Sequence, residues 1–209
     1  MKIETLYFGG NEANCYLVST DSAAVVIDPA APFKEARAFL EENSEKERYI
    51  FLTHFHFDHI LGAKELKEKY GCKIVIGEQD EIGLYDDTYS LSGWVGLSQE
   101  PFYADIKVTD GDEIPLGGET VKVIHTPGHT AGSVCYMIGD VIFTGDTLFE
   151  YSAGRTDFPT GDSDTLMASL KKLSKLPKNF TLYPGHGDST TLLKEKLHNP
   201  YMQQIRDVL

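Results

Sequence analysis

Apolar residues fall into short runs along this chain, and the spacing within each run separates strand from helix. Residues 2–8, 15–19 and 23–27 read as three successive strands, the last two parted by a Thr20-Asp21-Ser22 turn. Asp28-Pro29 ends the third, because proline lacks the N–H a central strand needs and keeps its predecessor out of the α region. From 33 to 42 the period lengthens, with Phe33, Ala36 and Leu40 on one face and acids on the other, as in an amphipathic helix. Residues 49–52 read as a short buried strand, 61–70 as a second helix stopped by Gly71, and 73–76 as another strand.

Between 83 and 103 no period survives. Trp94 sits there among glycines, serines and tyrosines, and the stretch reads as a long loop or mobile flap, of a length more often functional than idle. The strand pattern restarts at 106–108, 113–116, 120–125, 133–138 and 141–143, with turns at Gly117-Gly118 and Gly139-Asp140. Helices at 164–173 and 190–198 follow, with a strand at 180–183 between them. Each half therefore runs through hairpin-linked strands into helices. That order predicts an α/β (α+β) chain folded as an αββα sandwich, two sheets face to face with helices outside.

Composition narrows what such a sandwich can do. At 209 residues the chain reads as one domain over 1–209, and 41% hydrophobic against 24% charged residues is enough for a substantial core. With 19 Lys+Arg against 32 Asp+Glu the net charge is −13, which repels nucleic acid. No apolar stretch is long enough for a bilayer, and no signal-peptide core precedes the first strand, so no membrane partner is expected. Cys15, Cys72 and Cys135 are odd in number and far apart, without a C-x-x-C pair. They read as small buried residues in a reducing compartment, and a cytoplasmic location is expected.

Four segments carry the chemistry: 53–59 (Thr-His-Phe-His-Phe-Asp-His), 126–129 (Thr-Pro-Gly-His), 144–146 (Thr-Gly-Asp) and 184–187 (Pro-Gly-His-Gly). Each follows a strand-like run, so each falls at a strand end, where side chains from distant parts of a chain converge. Five of the seven histidines lie in them. Imidazole with carboxylate suits zinc, iron or manganese, and no thiolate stands nearby to close a structural zinc site. His54 and His56, two apart, point to one side; Asp58 and His59 can serve a second position close by. His129 then completes the first ion, His186 the second, and Asp146 spans both. Seven ligands leave two divalent ions half open, with room for substrate and for a shared water whose pKa falls toward about 7. His125 reads as a supporting or structural residue rather than a ligand, facing away from His129 or packing beneath it, and His198 as a surface residue.

This set of motifs resembles the metallo-β-lactamase-fold hydrolases, and within them the glyoxalase II (hydroxyacylglutathione hydrolase) branch in its short bacterial form. The resemblance spans nearly the whole chain and implies the αββα metallo-β-lactamase fold. It implies His54, His56 and His129 on one metal, Asp58, His59 and His186 on the other, and Asp146 bridging, with Asp58 and Asp146 catalytic. Glyoxalase II proper carries an added helical domain that binds glutathione; here helices within 190–209 stand in its place. The segment 154–159 is similar to that of the short glyoxalase II-like proteins and of the persulfide dioxygenases. The commonest β-lactamases place cysteine where Asp146 stands, which argues against antibiotic hydrolysis. Branches with di-iron redox chemistry replace the second histidine by glutamate, and His56 argues against those.

The expected activity is hydrolysis of a small thioester or ester, S-lactoylglutathione or a related acyl thiol, by two divalent ions, zinc first, with iron or manganese as alternatives. The rival readings are a mononuclear iron persulfide dioxygenase using His54, His129 and Asp146, and a lactonase on the same centre. Arg155, Tyr151 and Trp94 are candidate substrate contacts, with Phe102 and Tyr103 as further candidates for the cleft wall. Arg155 either meets a substrate carboxylate or pairs with Asp157 or Asp162. Asp162 or Ser163 is the expected N-cap of the following helix.

Overall fold

The computed structural model describes residues 1–7, 13–31 and 33–206. The first half runs β1 (Lys2–Leu6), β2 (Cys15–Ser19), β3 (Ala23–Ile27), α1 (Lys34–Glu42), β4 (Glu47–Phe51), α2 (Phe57–Ile60), α3 (Ala63–Tyr70), β5 (Lys73–Gly77) and β6 (Ile106–Val108). The second runs β7 (Glu113–Pro115), β8 (Thr120–His125), β9 (Val134–Ile138), β10 (Val141–Gly145), β11 (Leu148–Phe149), β12 (Ser152–Ala153), α4 (Ser163–Ser174), β13 (Thr181–Pro184), β14 (Thr190–Thr191), α5 (Leu192–His198) and α6 (Pro200–Arg206). One sheet has the order β1-β2-β3-β4-β5-β6, the other β14-β13-β10-β9-β8-β7, and β11-β12 form a small separate hairpin. No described helix is long and apolar enough to cross a membrane.

Period-2 alternation sorts side chains between three apolar layers. In β3, Val25 and Ile27 face the gap between the sheets while Val26 faces α1 and α3; β4 splits Tyr49 and Phe51 from Ile50 in the same way. In the second sheet Val134, Tyr136 and Ile138 of β9 fill the gap, and Cys135 turns outward onto α4. Strands buried on both faces become near-continuous apolar runs, which is why β3 reads Ala-Ala-Val-Val-Ile. Leu166, Leu170 and Leu173 of α4 cover the outer face with Met202 and Ile205 of α6. The expected αββα layering is what forms.

The sheets are also stitched together at one end. The Tyr136 hydroxyl donates to the Leu52 carbonyl at 2.8 Å, and the Val134 N–H donates to the Thr53 carbonyl at 2.9 Å. This fixes the end of β4, where the histidines begin, against the second sheet.

The structure departs from the sequence expectations in several places. The first expected strand ends at Leu6, and its last expected residue, Phe8, lies outside the described residues, as do 207–209 of the expected C-terminal stretch. The second helix begins only at Ala63, because Gly62 passes against the 29–31 backbone: a Cβ there would lie 2.4 Å from the Ala31 carbonyl carbon. The preceding turn is a separate helix, α2, which carries Asp58 and His59.

Residues 83–103 are not an unstructured flap. Two 3-10 helices, Glu78–Leu84 and Ser92–Val95, run into and through this stretch. The Ser90 carbonyl accepts the Phe57 N–H at 2.8 Å, and Gln99 Nε2 donates to the Gly83 carbonyl at 2.8 Å. A 3-10 turn repeats every three residues in pieces too short to leave a period, so it is silent in a hydrophobicity pattern. Asp162 caps α4, accepting from the Thr165 N–H at 2.7 Å.

Candidate metal centre

The four chemistry-bearing segments leave the C-terminal ends of β4, β8, β10 and β13 and meet at one edge of the sandwich. Backbone bonds hold the loops together: Gly185 N–H to the Gly145 carbonyl at 2.9 Å, and Asn14 N–H to the Gly185 carbonyl at 2.7 Å. Asn14 Nδ2 adds bonds to the carbonyls of Pro184 (3.1 Å) and Gly187 (2.8 Å), so the His186 loop is pinned from both sides.

His54, His56 and His129 form one group. His54 Nε2 lies 3.1 Å from His56 Nδ1, which lies 2.9 Å from His129 Nε2. Asp58, His59 and His186 form another, with Asp58 Oδ2 at 3.2 Å from His186 Nε2 and 3.9 Å from His59 Nε2. Asp146 stands between them: Oδ1 is 3.5 Å from His59 Nε2, and Oδ2 is 3.5 Å from His129 Nε2 and 3.7 Å from His186 Nε2. The structure thus brings all seven predicted residues into one cluster, in which His54, His59 and Asp146 also lie within reach of a common point.

Hydrogen bonds behind the rings decide which nitrogens face inward bare. His59 Nδ1 donates to Asp28 Oδ2 at 2.9 Å, and His129 Nδ1 to the Arg155 carbonyl at 2.7 Å. Thr53 Oγ1 donates to Asp28 Oδ2 at 2.7 Å and is left as acceptor for His54 Nδ1 at 3.1 Å. The rings of His54, His59 and His129 therefore hold a proton at Nδ1 and turn Nε2 toward the others. Burial, reinforced by neighbouring imidazoles, pushes His54 and His56 below the usual histidine range. Burial also works against charge on His59, but Asp28, Asp146 and Asp58 outweigh it and raise it to about 10. Asp58 resists burial through His59 and His186, which hold it at about 2.

The donor set passes a direct test for cations. His56 Nε2, His59 Nε2 and Asp146 Oδ1 are buried without a hydrogen-bond partner, three orphaned atoms in one cluster. Buried polar atoms are normally satisfied; His59 Nε2 and Asp146 Oδ1, 3.5 Å apart, fit an ion-binding role, while His56 turns Nδ1 rather than Nε2 toward His54 and His129. The cluster is suited to metal ions, with nitrogen and oxygen donors and no sulfur.

The cluster forms the polar end of a cavity of about 570 Å³. Of the candidate substrate contacts, Trp94 lines it. Arg155 lines it too, but its guanidinium makes a two-pronged pair with Asp157 (both contacts 2.6 Å) and lies 3.9 Å over the Phe158 ring. Asp162 is taken up by its capping role. Tyr151 does not face the cavity: it occupies the turn of the β11-β12 hairpin at φ 57, with its ring beneath Lys194 Nζ at 4.7 Å. Phe102 is a core residue behind α3, and the exposed Tyr103 pairs with Tyr85 at 5.4 Å, so neither lines the cleft. His125 donates to the Ala131 carbonyl at 2.9 Å and braces the His129 loop, while His198 is exposed, both as expected.

A family profile described as the Metallo-beta-lactamase superfamily matches residues 8–186. The chain belongs to that superfamily. Among curated superfamily relatives it is 33% identical over 208 residues to Hydroxyacylglutathione hydrolase GloC of Haemophilus influenzae, covering 97% of this chain and 98% of the relative. Among solved structures it is similar to the BLEG-1 B3 metallo-beta-lactamase (TM-score 0.86, 32% identity, 96% of this chain and 99% of that one). It is also similar to TTHA1623 in a di-iron-bound form (TM-score 0.82, 32% identity, 95% and 99%).

Two acids in this superfamily member carry roles the sequence reading did not assign. Asp28 was read only as a strand terminator; it is buried at φ 49 and anchors Thr53 and His59. Asp80 is fully buried and accepts from Thr130 Oγ1 and the Gly132 N–H, both at 2.6 Å, tying the His129 loop to the end of β5. The signal for Asp28 was present: an acid directly before proline at the end of an apolar strand, next to the strand that leads into the histidines.

Proposed function

We propose that this chain is a hydrolase that uses two divalent ions to cleave an acyl thioester, S-lactoylglutathione or a related acyl thiol. The observation that carries the reading is the pair of imidazole–carboxylate groups sharing Asp146, with orphaned donor atoms, at the polar end of one cavity. The likeness to a curated hydroxyacylglutathione hydrolase supports it. In this reading His54, His56 and His129 hold one ion, Asp58, His59 and His186 the other, and Asp146 reaches both. Zinc suits this borderline donor set, and the di-iron relative makes iron the first comparison. Bound there, such ions lower the pKa of a water toward about 7 and polarise a carbonyl.

The chain's own residues prepare the reaction. Asp28 and the Arg155 carbonyl each accept a hydrogen bond from Nδ1–H, so His59 and His129 present Nε2 to the ions, His59 on loss of its second proton. Asp58, ionised throughout the neutral range, accepts a hydrogen bond from the attacking water and orients it. The water gives one proton to solvent and its oxygen bonds to the acyl carbon; the C–S bond then breaks with its electron pair going to sulfur, and the remaining proton passes from the new carboxylic acid to the thiolate or to solvent. A thiol of pKa about 8.5 leaves without help from a strong acid. The proposal takes residues 1–209 as one catalytic domain acting on a small molecule in the cytoplasm, a location supported by three buried free thiols.

The test pairs elemental analysis of the purified protein with thiol release from S-lactoylglutathione and simpler acyl thioesters. Two ions per chain with metal-dependent thiol release is the expected result. One iron per chain with oxygen uptake on a persulfide overturns it, as does faster turnover of a lactone or a β-lactam than of any thioester.

A further inference from the structure

The cavity lining is of two chemical kinds. Besides the imidazoles and carboxylates, it includes Leu91, Trp94, Val95, Phe149 and Phe158, with Phe149 edge-on to His186 at 6.2 Å. Trp94 is 64% exposed and Val95 54%, so apolar surface is left facing water at the mouth. Histidines aside, Arg155 is the one cationic side chain among the described lining residues, and Asp157 already occupies the Nε–Nη2 edge of its guanidinium. A negatively charged substrate arm approaching that edge would have to displace the Asp157 carboxylate. An uncharged apolar arm displaces only water.

The wall is held in a fixed position relative to the polar end. The 3-10 turn bearing Trp94 is bracketed by Leu91 at φ 64 and Gly96 at φ 76, with Trp94 N–H on the Leu91 carbonyl at 3.0 Å. A left-handed leucine persists only where its surroundings enforce it. Ser90, next to it, accepts the N–H of Phe57, the first residue of the helix that carries Asp58 and His59. Phe158 joins the two kinds of lining: its ring stands edge-on to His56 at 5.6 Å and to Trp94 at 6.0 Å.

We propose that Trp94 and Phe158 form an aromatic subsite that selects substrates bearing an uncharged group of aryl size beside the scissile bond. This deepens the hydrolase reading and rests on it for the bond that is cleaved, but not for the binding itself. Ring–ring contacts favour edge-to-face and offset geometries, and Trp94, with most of its surface exposed, keeps ring area open to one.

Trp94 is the single tryptophan of the chain, so its emission reports on the subsite without any turnover. The probes are benzyl 2-hydroxyethyl thioether, which has a ring and no cleavable ester, and S-methylglutathione, which has the carboxylates and no ring. The benzyl compound should shift the emission to the blue or quench it saturably, and S-methylglutathione should leave it unchanged. Phe158→Ala and the more conservative Phe158→Leu should each weaken the benzyl response about three- to tenfold, with far-UV circular dichroism unchanged. Equal responses to both probes, no response to the benzyl compound, or undiminished affinity in both folded variants overturns the proposal. Binding of the benzyl probe with hydrolysis of neither benzoyl nor lactoyl thioesters sinks the thioester reading and leaves the aromatic subsite standing.

Discussion

Replacing Asp28 by asparagine exchanges one oxygen for an NH2 and reverses the hydrogen bonds behind the metal cluster. In the wild type, Asp28 Oδ1 accepts from the Thr53 N–H at 2.8 Å, and Oδ2 accepts from both Thr53 Oγ1 and His59 Nδ1. An amide has a single oxygen. Kept on the Thr53 N–H, it turns the NH2 onto His59, whose Nδ1 must then accept and whose proton moves to Nε2. That nitrogen faces Asp146 Oδ1 at 3.5 Å and must be bare to hold an ion. The flipped amide instead sets donor against donor at the Thr53 N–H. Loss of such a supporting partner costs about 10- to 100-fold in metal affinity, which is about 1.4–2.8 kcal/mol. A buried unpaired donor costs a further ~1–3 kcal/mol of fold stability. Competition against a chromogenic chelator resolves the two affinities. The second ion should weaken by at least about tenfold, and the first should follow more weakly through Thr53 and His54. Wild-type affinities for both ions in a folded Asp28→Asn protein would refute the tautomer reasoning.

Gly185→Ala places a Cβ 2.1 Å from Asp146 Oδ1 and 2.8 Å from His59 Cε1; kcat/KM for the best thioester should fall about 100-fold with circular dichroism intact, and unchanged turnover would contradict the geometry. Burial raises Asp80 from the usual carboxylate range to about 7 against the pull of its hydrogen bonds. Its contribution to stability is therefore full at low pH, below its unfolded value of about 4, and is lost as pH rises through about 7. Urea midpoints of Asp80→Asn should lack that slope, and parallel wild-type and variant profiles would exclude this role. His59, raised to about 10, carries a proton in the metal-free protein at pH 7, so ion uptake must expel it. Metal titration in weak buffer with an indicator dye should release about one proton or more per chain, with affinity falling as pH drops; uptake without acidification would show that His59 is no ligand.

Much of the fold was legible because its strands alternate. β2, β3 and β8 appear at their expected limits, and Gly71 ends α3 in the left-handed conformation expected of a terminating glycine. The His/Asp cluster was legible because imidazoles and carboxylates recurred in four segments, each directly after an apolar run. What escaped depends on contacts rather than period. The two-residue strands β11, β12 and β14 are too short to alternate, and the 3-10 helices around Trp94 are fixed by Ser90, Gln99 and Phe102 packing against distant backbone. Tyr151 is a candidate cleft aromatic by sequence, yet a two-residue hairpin turn swings it away toward Lys194. Asp80 lies far from every histidine in sequence, and only the folded chain shows what it braces.

The cluster draws on residues from His54 to His186, and its rings are oriented by groups from Asp28 to Arg155. No portion of the chain shorter than that can assemble the donor set. In the proposed reading, ion capture therefore follows docking of the two sheets. The packed form must be reached with Asp58 and Asp146 already gathered at one edge, and cations would then lock in place what folding has built.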